Sequence, residues 1–420
     1  MTSHTAPRRL RASTVEIPDP GDLVRFLDGP DDVAWLRRGE GTVGLGVALR
    51  ADVDSMAEGS AWWAGVVETL EHATELPGEW GVGPLAFGSF AFDPARSASP
   101  SVLVVPRVIV GRRGGRAWLT TVSAEDAPAA VPPPAAPAPG PGAVRLSPAG
   151  PDAGEWASRV ARAVARINDP QGGLDKVVLA RAVRAAGERP IVARHLVDRL
   201  AAAYPTCWTF HVDGLVGASP EMLIRVESGL ATSRVLAGTI RRGSPGTDEM
   251  LAEALSGSGK DLAEHRFAVQ SVADALRPFC SGMNTPDAPF VLQLPNVMHL
   301  ASDVTGVMKR EVSSLQLAEA LHPSAAVCGT PTPVALAAIA EHEGIDRGRY
   351  SGPVGWIDTA GDGEWAIALR CGRLEPDGSA ITLYAGCGIV GASQPEAELA
   401  ETRAKLRPML DALGAGDDEA

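Results

Sequence analysis

A chain of 420 residues with 45% hydrophobic and 21% charged side chains has the composition of an ordinary globular protein, long enough to bury a large core in one to three domains. Its formal net charge of −13 argues against nucleic acid or an anionic membrane surface as the main partner. No apolar run reaches the roughly eighteen residues of a membrane span, and the basic start MTSHTAPRRLRAS leads into EIPDPGD where a signal peptide would need an apolar core, so a cytoplasmic protein is expected. The five cysteines, Cys207, Cys280, Cys328, Cys371 and Cys387, contain no CxxC pair and read as buried thiols.

Residues 1 to about 125 form a strand-rich portion containing VGLGVALRA, PLAFGSFAFDP and SVLVVPRVIVGRRG. The Pro/Ala segment within 126–150 cannot pack a core and is expected to be a mobile linker or loop. From 151 to about 412 the pattern becomes dense. Helices are expected over 155–168, 191–203, 248–278 (a pair), 313–321, 333–342 and from 395. Strands are expected over 175–186, 206–213, 222–226, 234–240, 290–294, 302–308, 353–358, 364–374 and 380–390, and a disordered tail over 413–420. Strands outnumber clean βαβ alternations, so an α+β fold with helices outside sheets is favoured over a doubly wound one.

Chemistry is suggested at several points. Only Lys176, Lys260, Lys309 and Lys405 are lysines in an otherwise arginine-based set of cations. A lysine, unlike an arginine, can give up its proton when desolvated. Lys176 opens the alternating strand KVVLAR, where Lys176, Val178 and Ala180 share a side and a partly desolvated amine would have its pKa pulled down; a lysine guarding a strand edge is the plainer alternative. Glu221 follows a Gly/Ser/Pro turn and precedes an apolar strand, a setting for a raised pKa or merely for an exposed turn residue. Glu264 lies in the helix SGKDLAEHRF, where pairing with Lys260 is the bland reading. His299 sits among apolar residues, and Arg370 ends an apolar strand and needs an anionic partner. The stretch from Tyr384 to Lys405 reads as a glycine-broken strand, a turn and a helix with Glu398, Glu401 and Lys405 on one face: a site for a metal-bound anion. AGCGIV is neither a dinucleotide fingerprint nor a P-loop.

Taken together and in order, KVVLAR, GASPEML, VLAGTIRRG, KDLAEH, MHLASDVTG, LHPSAAVCGTPT, GWIDTAGDGEWAIALRC, YAGCGIV and PEAELAETRAKL resemble the chorismate-utilising enzymes, most closely isochorismate synthases of siderophore or menaquinone pathways. The resemblance covers about 155 to 412. It implies one large α+β domain with core antiparallel sheets, and Mg²⁺-dependent conversion of chorismate to isochorismate. Carried over by motif, Lys176 would activate water for attack at ring C2 and Glu221 would protonate the departing C4 hydroxyl. Glu264 and Glu401 would bind Mg²⁺, with Glu398 helping through water. Arg370, the backbone at Gly386 and Lys405 would take the substrate carboxylates, and His299, Ala326 and Thr239 would line the pocket. The aminating relatives that make anthranilate carry glutamine where this chain has Lys176. Aminodeoxychorismate synthases carry a nucleophilic lysine where it has Ala237. No glutaminase subunit is therefore expected, and the chain should act as a monomer. Salicylate synthases, which go on to eliminate pyruvate, are the alternative, followed by a relative that binds chorismate without turning it over.

Overall fold

The computed structural model describes residues 10–123, 131–242, 246–293 and 297–416, with the side chains of Thr239, Arg241, Lys260, Glu264 and Val297 outside that description. No helix in it is long and apolar enough to cross a membrane.

The architecture radiates from one long strand, Ser101–Arg113, whose run of valines with Leu103 and Ile109 suits a ribbon buried on both faces. One edge pairs along its length with Glu40–Val53, and from there antiparallel pairing continues through Val33–Arg37, Trp208–Val212, Leu215–Ser219, Cys371–Leu374 and Ala380–Ile389 to Lys176–Gly187. The other edge is shared. Its C-terminal half takes Arg116–Ser123, while its N-terminal half takes Leu85–Ser89, which opens a second arm through Pro353–Asp358, Gly363–Ile367, Met222–Glu227, Leu230–Arg241 and Val297–Met308. Among the described residues every pairing is antiparallel except Arg11–Ile17 with Glu71–Thr74. Strands from before and after the Pro/Ala segment pair directly, Val33–Arg37 with Trp208–Val212 and Leu85–Ser89 with Pro353–Asp358, which is the single α+β domain expected.

The two arms meet again at a seam. The strand pair formed by residues 215–227 and 363–374 runs from one arm into the other and is interrupted in the middle, between the pairings Gly217 with Cys371 and Met222 with Ala366. Pro220 has no N–H to contribute there, and Arg370 takes φ 50°, a left-handed conformation that a regular strand cannot hold. The strand expected over 364–374 is thus two, Gly363–Ile367 and Cys371–Leu374, and Leu215–Ser219 is an additional strand that the apolar pattern did not single out. Conversely, the glycine-broken strand expected after Tyr384 is unbroken: Ala380–Ile389 pairs residue for residue with Lys176–Gly187.

Helices cover the outside. Pro395–Leu413 packs on Ala380–Ile389, and Ala153–Asn168 and Thr332–His342 on Lys176–Gly187. Gly259–Leu276 packs on Leu230–Arg241. Asp152 caps Ala153–Asn168 by accepting from Glu155 N–H, and Ser313 with Gln316 forms a capping box on Ser314–Leu321, each offsetting a backbone donor that the first turn leaves unpaired. Leu413, assigned to the tail from sequence, is buried at the end of the last helix, which Gly414 closes with φ 73°; residues 417–420 lie outside the description. Residues 131–142 have no regular structure, and Ala135 N–H donates to Arg25 O at 2.7 Å. Four of the cysteine thiols are buried and Cys207 is half-buried; none is in a disulfide.

Candidate active site

The seam explains why Glu221 and Arg370, far apart in sequence, are neighbours. Both fall in the gap where the strand pair opens, so their side chains leave the ladder for the space between the arms. The gap is still closed by specific bonds: Glu221 O accepts from Ile367 N–H at 3.0 Å, Arg370 O from Ala218 N–H at 3.2 Å, and Ser219 Oγ donates to Ile367 O at 2.6 Å. Ser219 Oγ also accepts from Glu221 N–H at 3.2 Å, fixing the backbone that carries the carboxyl.

Around that carboxyl the structure gathers three cations. Burial pushes the Glu221 pKa up, opposed in decreasing order by the charges of Arg370, Lys176 and Lys405. Among the described residues no hydrogen-bond donor reaches its carboxylate, and none of the acids forms an ion pair with Arg370. His299 belongs to the same cluster: burial first, then Arg370 and Lys405, push its pKa down, leaving a neutral imidazole at neutral pH.

Lys176 lies at the start of a strand buried on both faces, where a single buried face was expected. Its stem crosses the bare Cα of Gly388 on the neighbouring strand; a Cβ built there would come within 2.9 Å of Lys176 Cε and 3.6 Å of Nζ. In the sequence Gly388 reads as one of the glycines that break the strand, and in the structure it makes room for a side chain on the neighbouring strand.

The helix Pro395–Leu413 brings the other half. Lys405 Nζ donates to Gly386 O at 2.8 Å and pairs with Glu401 at 2.7 Å, so both are engaged with each other and with the strand. Glu398 stands one turn earlier on the half-buried side. Buried Cys387 lies against this face: its Sγ contacts Glu398 O at 3.8 Å. Burial pushes the thiol up, and the Glu398 and Glu401 charges push it further while Lys405 opposes them.

Ala326 is exposed in the turn just before Gly329–Thr330, which pairs with Val177 and Lys176, so the turn flanks the lysine. Thr239 lies opposite His299 in register, though its side chain is outside the description. The Glu264 side chain is outside it too; its helix neighbour His265 turns into the core, where Nδ1–H donates to Ala237 O at 3.2 Å and Nε2 meets Ser302 Oγ at 2.8 Å. The cluster therefore joins Glu221, Arg370, Lys176, Lys405, Glu401, His299 and Gly386.

A family model described as chorismate binding enzyme matches residues 135–414. The chain belongs to the chorismate binding enzyme family. It is 36% identical over 347 residues, 80% of this chain and 87% of the relative, to the putative isochorismate synthase MenF of Mycobacterium tuberculosis. It is 40% identical over 277 residues, 63% of this chain and 69% of the relative, to isochorismate synthase DhbC of Bacillus subtilis. Its fold superposes on the menaquinone-specific isochorismate synthase MenF from Escherichia coli with TM-score 0.80 at 26% identity, covering 96% of this chain and 94% of that one.

In this chorismate binding enzyme the seam gathers groups suited to an anion: an arginine with no carboxylate partner among the described residues, a lysine nearby and a carboxyl whose pKa burial raises. Gly388→Ala is expected to displace the Lys176 stem and lower turnover about ten- to a hundredfold, with thermal stability nearly unchanged, because the methyl meets a flexible side chain and no backbone. Steady-state kinetics beside a melting curve would test this; parental turnover would show that the lysine tolerates the shift.

Proposed function

We propose that the protein is an isochorismate synthase that adds water at C2 of chorismate while removing the C4 hydroxyl. The observation that carries this reading is the half-buried Glu221 carboxyl, raised in pKa by burial and set among Arg370, Lys176 and Lys405. Lys176 takes a proton from water as its oxygen bonds to C2, both ring double bonds shift, and the C4–O bond breaks as Glu221 delivers its proton to the leaving hydroxyl. One water enters and one leaves, so the net change is an isomerisation. Lys176 then returns a proton and Glu221 regains one before the next turnover. Arg370, which has no acidic partner among the described residues, is the natural ligand for a substrate carboxylate, with Lys405 beside it. Neutral His299 can hydrogen-bond a ring substituent, and Ala326 and Thr239 line the pocket.

A magnesium ion suits this donor set. Glu398 and Glu401 offer oxygen ligands from one helix face, Glu264 is the third candidate, and Mg²⁺ favours a few carboxylates with retained waters. Among the described residues no group of three or more metal-ligating side chains converges. Bound there, the ion would supply positive charge to hold the ring carboxylate in a protein whose net charge is −13. In the structure Glu401 is paired with Lys405, so a cation must compete for it. Glu401→Gln is therefore expected to shift the Mg²⁺ dependence of turnover at least tenfold upward, and an unchanged magnesium titration would remove Glu401 as a ligand.

Purified protein incubated with chorismate and Mg²⁺, followed by chromatographic separation of products, tests the proposal. Isochorismate is the expected product. Salicylate with pyruvate would reassign the enzyme as a salicylate synthase, and binding without turnover would make it a non-catalytic relative.

A further inference from the structure

The strand that carries Lys176 has an unusual outer edge. Opposite Ala380–Ile389, the Gly329–Thr330 bridge reaches only Lys176 and Val177, and Val144–Pro148 begins pairing only at Val183. Between them the edge groups are met one by one. Val178 N–H donates to Cys328 O at 2.8 Å, Trp156 Nε1–H donates to Ala180 O at 3.0 Å, Ala149 N–H donates to Ala182 O at 3.1 Å, and two charged side chains take two further groups. Glu343 Oε2 accepts from Ala180 N–H at 2.7 Å, and Arg347 Nη2 donates to Val178 O at 2.8 Å.

Glu343 and Arg347 are 1% and 4% exposed and bonded to each other twice, at 2.7 and 2.6 Å. The remaining guanidinium nitrogen, Arg347 Nη1, donates to Val327 O at 2.8 Å, in the turn next to Ala326, and the guanidinium lies 4.2 Å over the Phe92 ring. One ion pair thus bonds to three backbone groups on two segments: the strand two and four residues beyond Lys176, and the turn that flanks the lysine.

A buried ion pair is a poor source of stability, since apolar residues of similar size often serve as well. What apolar residues cannot supply is direction, because only hydrogen bonds fix backbone groups at set angles. We propose that Glu343 and Arg347 are positioning residues for the reaction: they hold the Lys176 strand at a fixed offset from the Ala326 turn and so aim the lysine at the substrate. This rests on Lys176 being the base of the proposed reaction.

Removing one partner leaves a buried, uncompensated charge, so the informative variant is the double replacement Glu343→Leu/Arg347→Met, which removes the bonds without stranding a charge. It is expected to fold with a melting temperature within roughly five degrees of the parent, to bind chorismate within about threefold of the parental Kd, and to lose about ten- to a hundredfold in kcat, with the pH–rate limb belonging to the base displaced. Parental kcat and pH profile in the folded double variant would overturn the proposal, as would a loss confined to KM. If the double variant fails to fold, Arg347→Lys keeps the charge but cannot hold the bidentate geometry. A kcat-selective loss there supports the positioning role, and unaltered kcat overturns it. Lys176→Ala assayed in parallel separates the two levels. An active Lys176→Ala protein condemns the reading of the base itself, whereas an inactive one beside a fully active double variant condemns only the positioning role.

Discussion

Lys176→Ala is expected to reduce conversion of chorismate by about two to four orders of magnitude, the range that a positioned general base contributes, while Mg²⁺-dependent binding of chorismate stays close to parental. The Lys176 stem lies over Gly388, on the strand that also presents Gly386 O to Lys405, and the amine reaches the field of the Glu221 carboxyl without bonding to it. Removing it takes away a proton acceptor and leaves Arg370 and Lys405 to hold the anion. Lys176→Arg sharpens the test. Arginine keeps the positive charge and most of the bulk but does not give up its proton at any accessible pH. If Lys176 acted only as a charge, the arginine variant would retain activity; as a base, it must fail like alanine. Product formation and calorimetric binding, measured on both variants, decide the matter, and undiminished turnover in Lys176→Ala would falsify the assignment.

Glu221→Gln should have a loss of similar size and a second signature in stability. The acid must be protonated to deliver its proton, and burial extends its protonated range above that of an ordinary glutamate. Turnover of the parent is therefore expected to fall as pH rises through this raised value, and the glutamine variant should lack that limb in its residual activity. The sign for folding runs the same way. A carboxyl that binds its proton more tightly in the folded state contributes stability fully below its unfolded pKa, about 4.3, and loses it as pH climbs through the folded value. Glutamine cannot ionise. The variant should therefore be more stable than the parent at neutral pH, and the difference should vanish below about pH 4. Denaturant melts at both pH values check this, and a variant less stable than the parent at neutral pH would contradict the burial of an ionisable Glu221.

Much of the fold was legible because its signals are local. The apolar spacing of Trp156, Val160 and Val164 and the alternation of KVVLARAV each specify an element within a dozen residues, and these elements are where the pattern places them. The breaks were not legible. EWAIALRCGRL reads as one strand, and nothing in it says that the ladder opens at Arg370; that follows from the chain having to pass from one arm to the other opposite Pro220. The glycines of YAGCGIV read as breakers but serve as gaps, Gly388 making room for Lys176 while the pairing continues on both sides. Glu343 and Arg347 carry no local signal of burial and are deeply buried.

By itself the sequence determined most of the elements, the order of motifs and hence the family, and it offered candidates for the site: Lys176, Glu221, Arg370, Lys405 and the helical glutamates. Only the tertiary structure decided their chemistry. Whether a carboxyl is solvated or buried, and which cations surround it, depends on segments that meet through sheet pairing far from one another in the chain. Glu221 is set among Arg370, Lys176 and Lys405 because two sheet arms part at one seam and a third strand passes beside it.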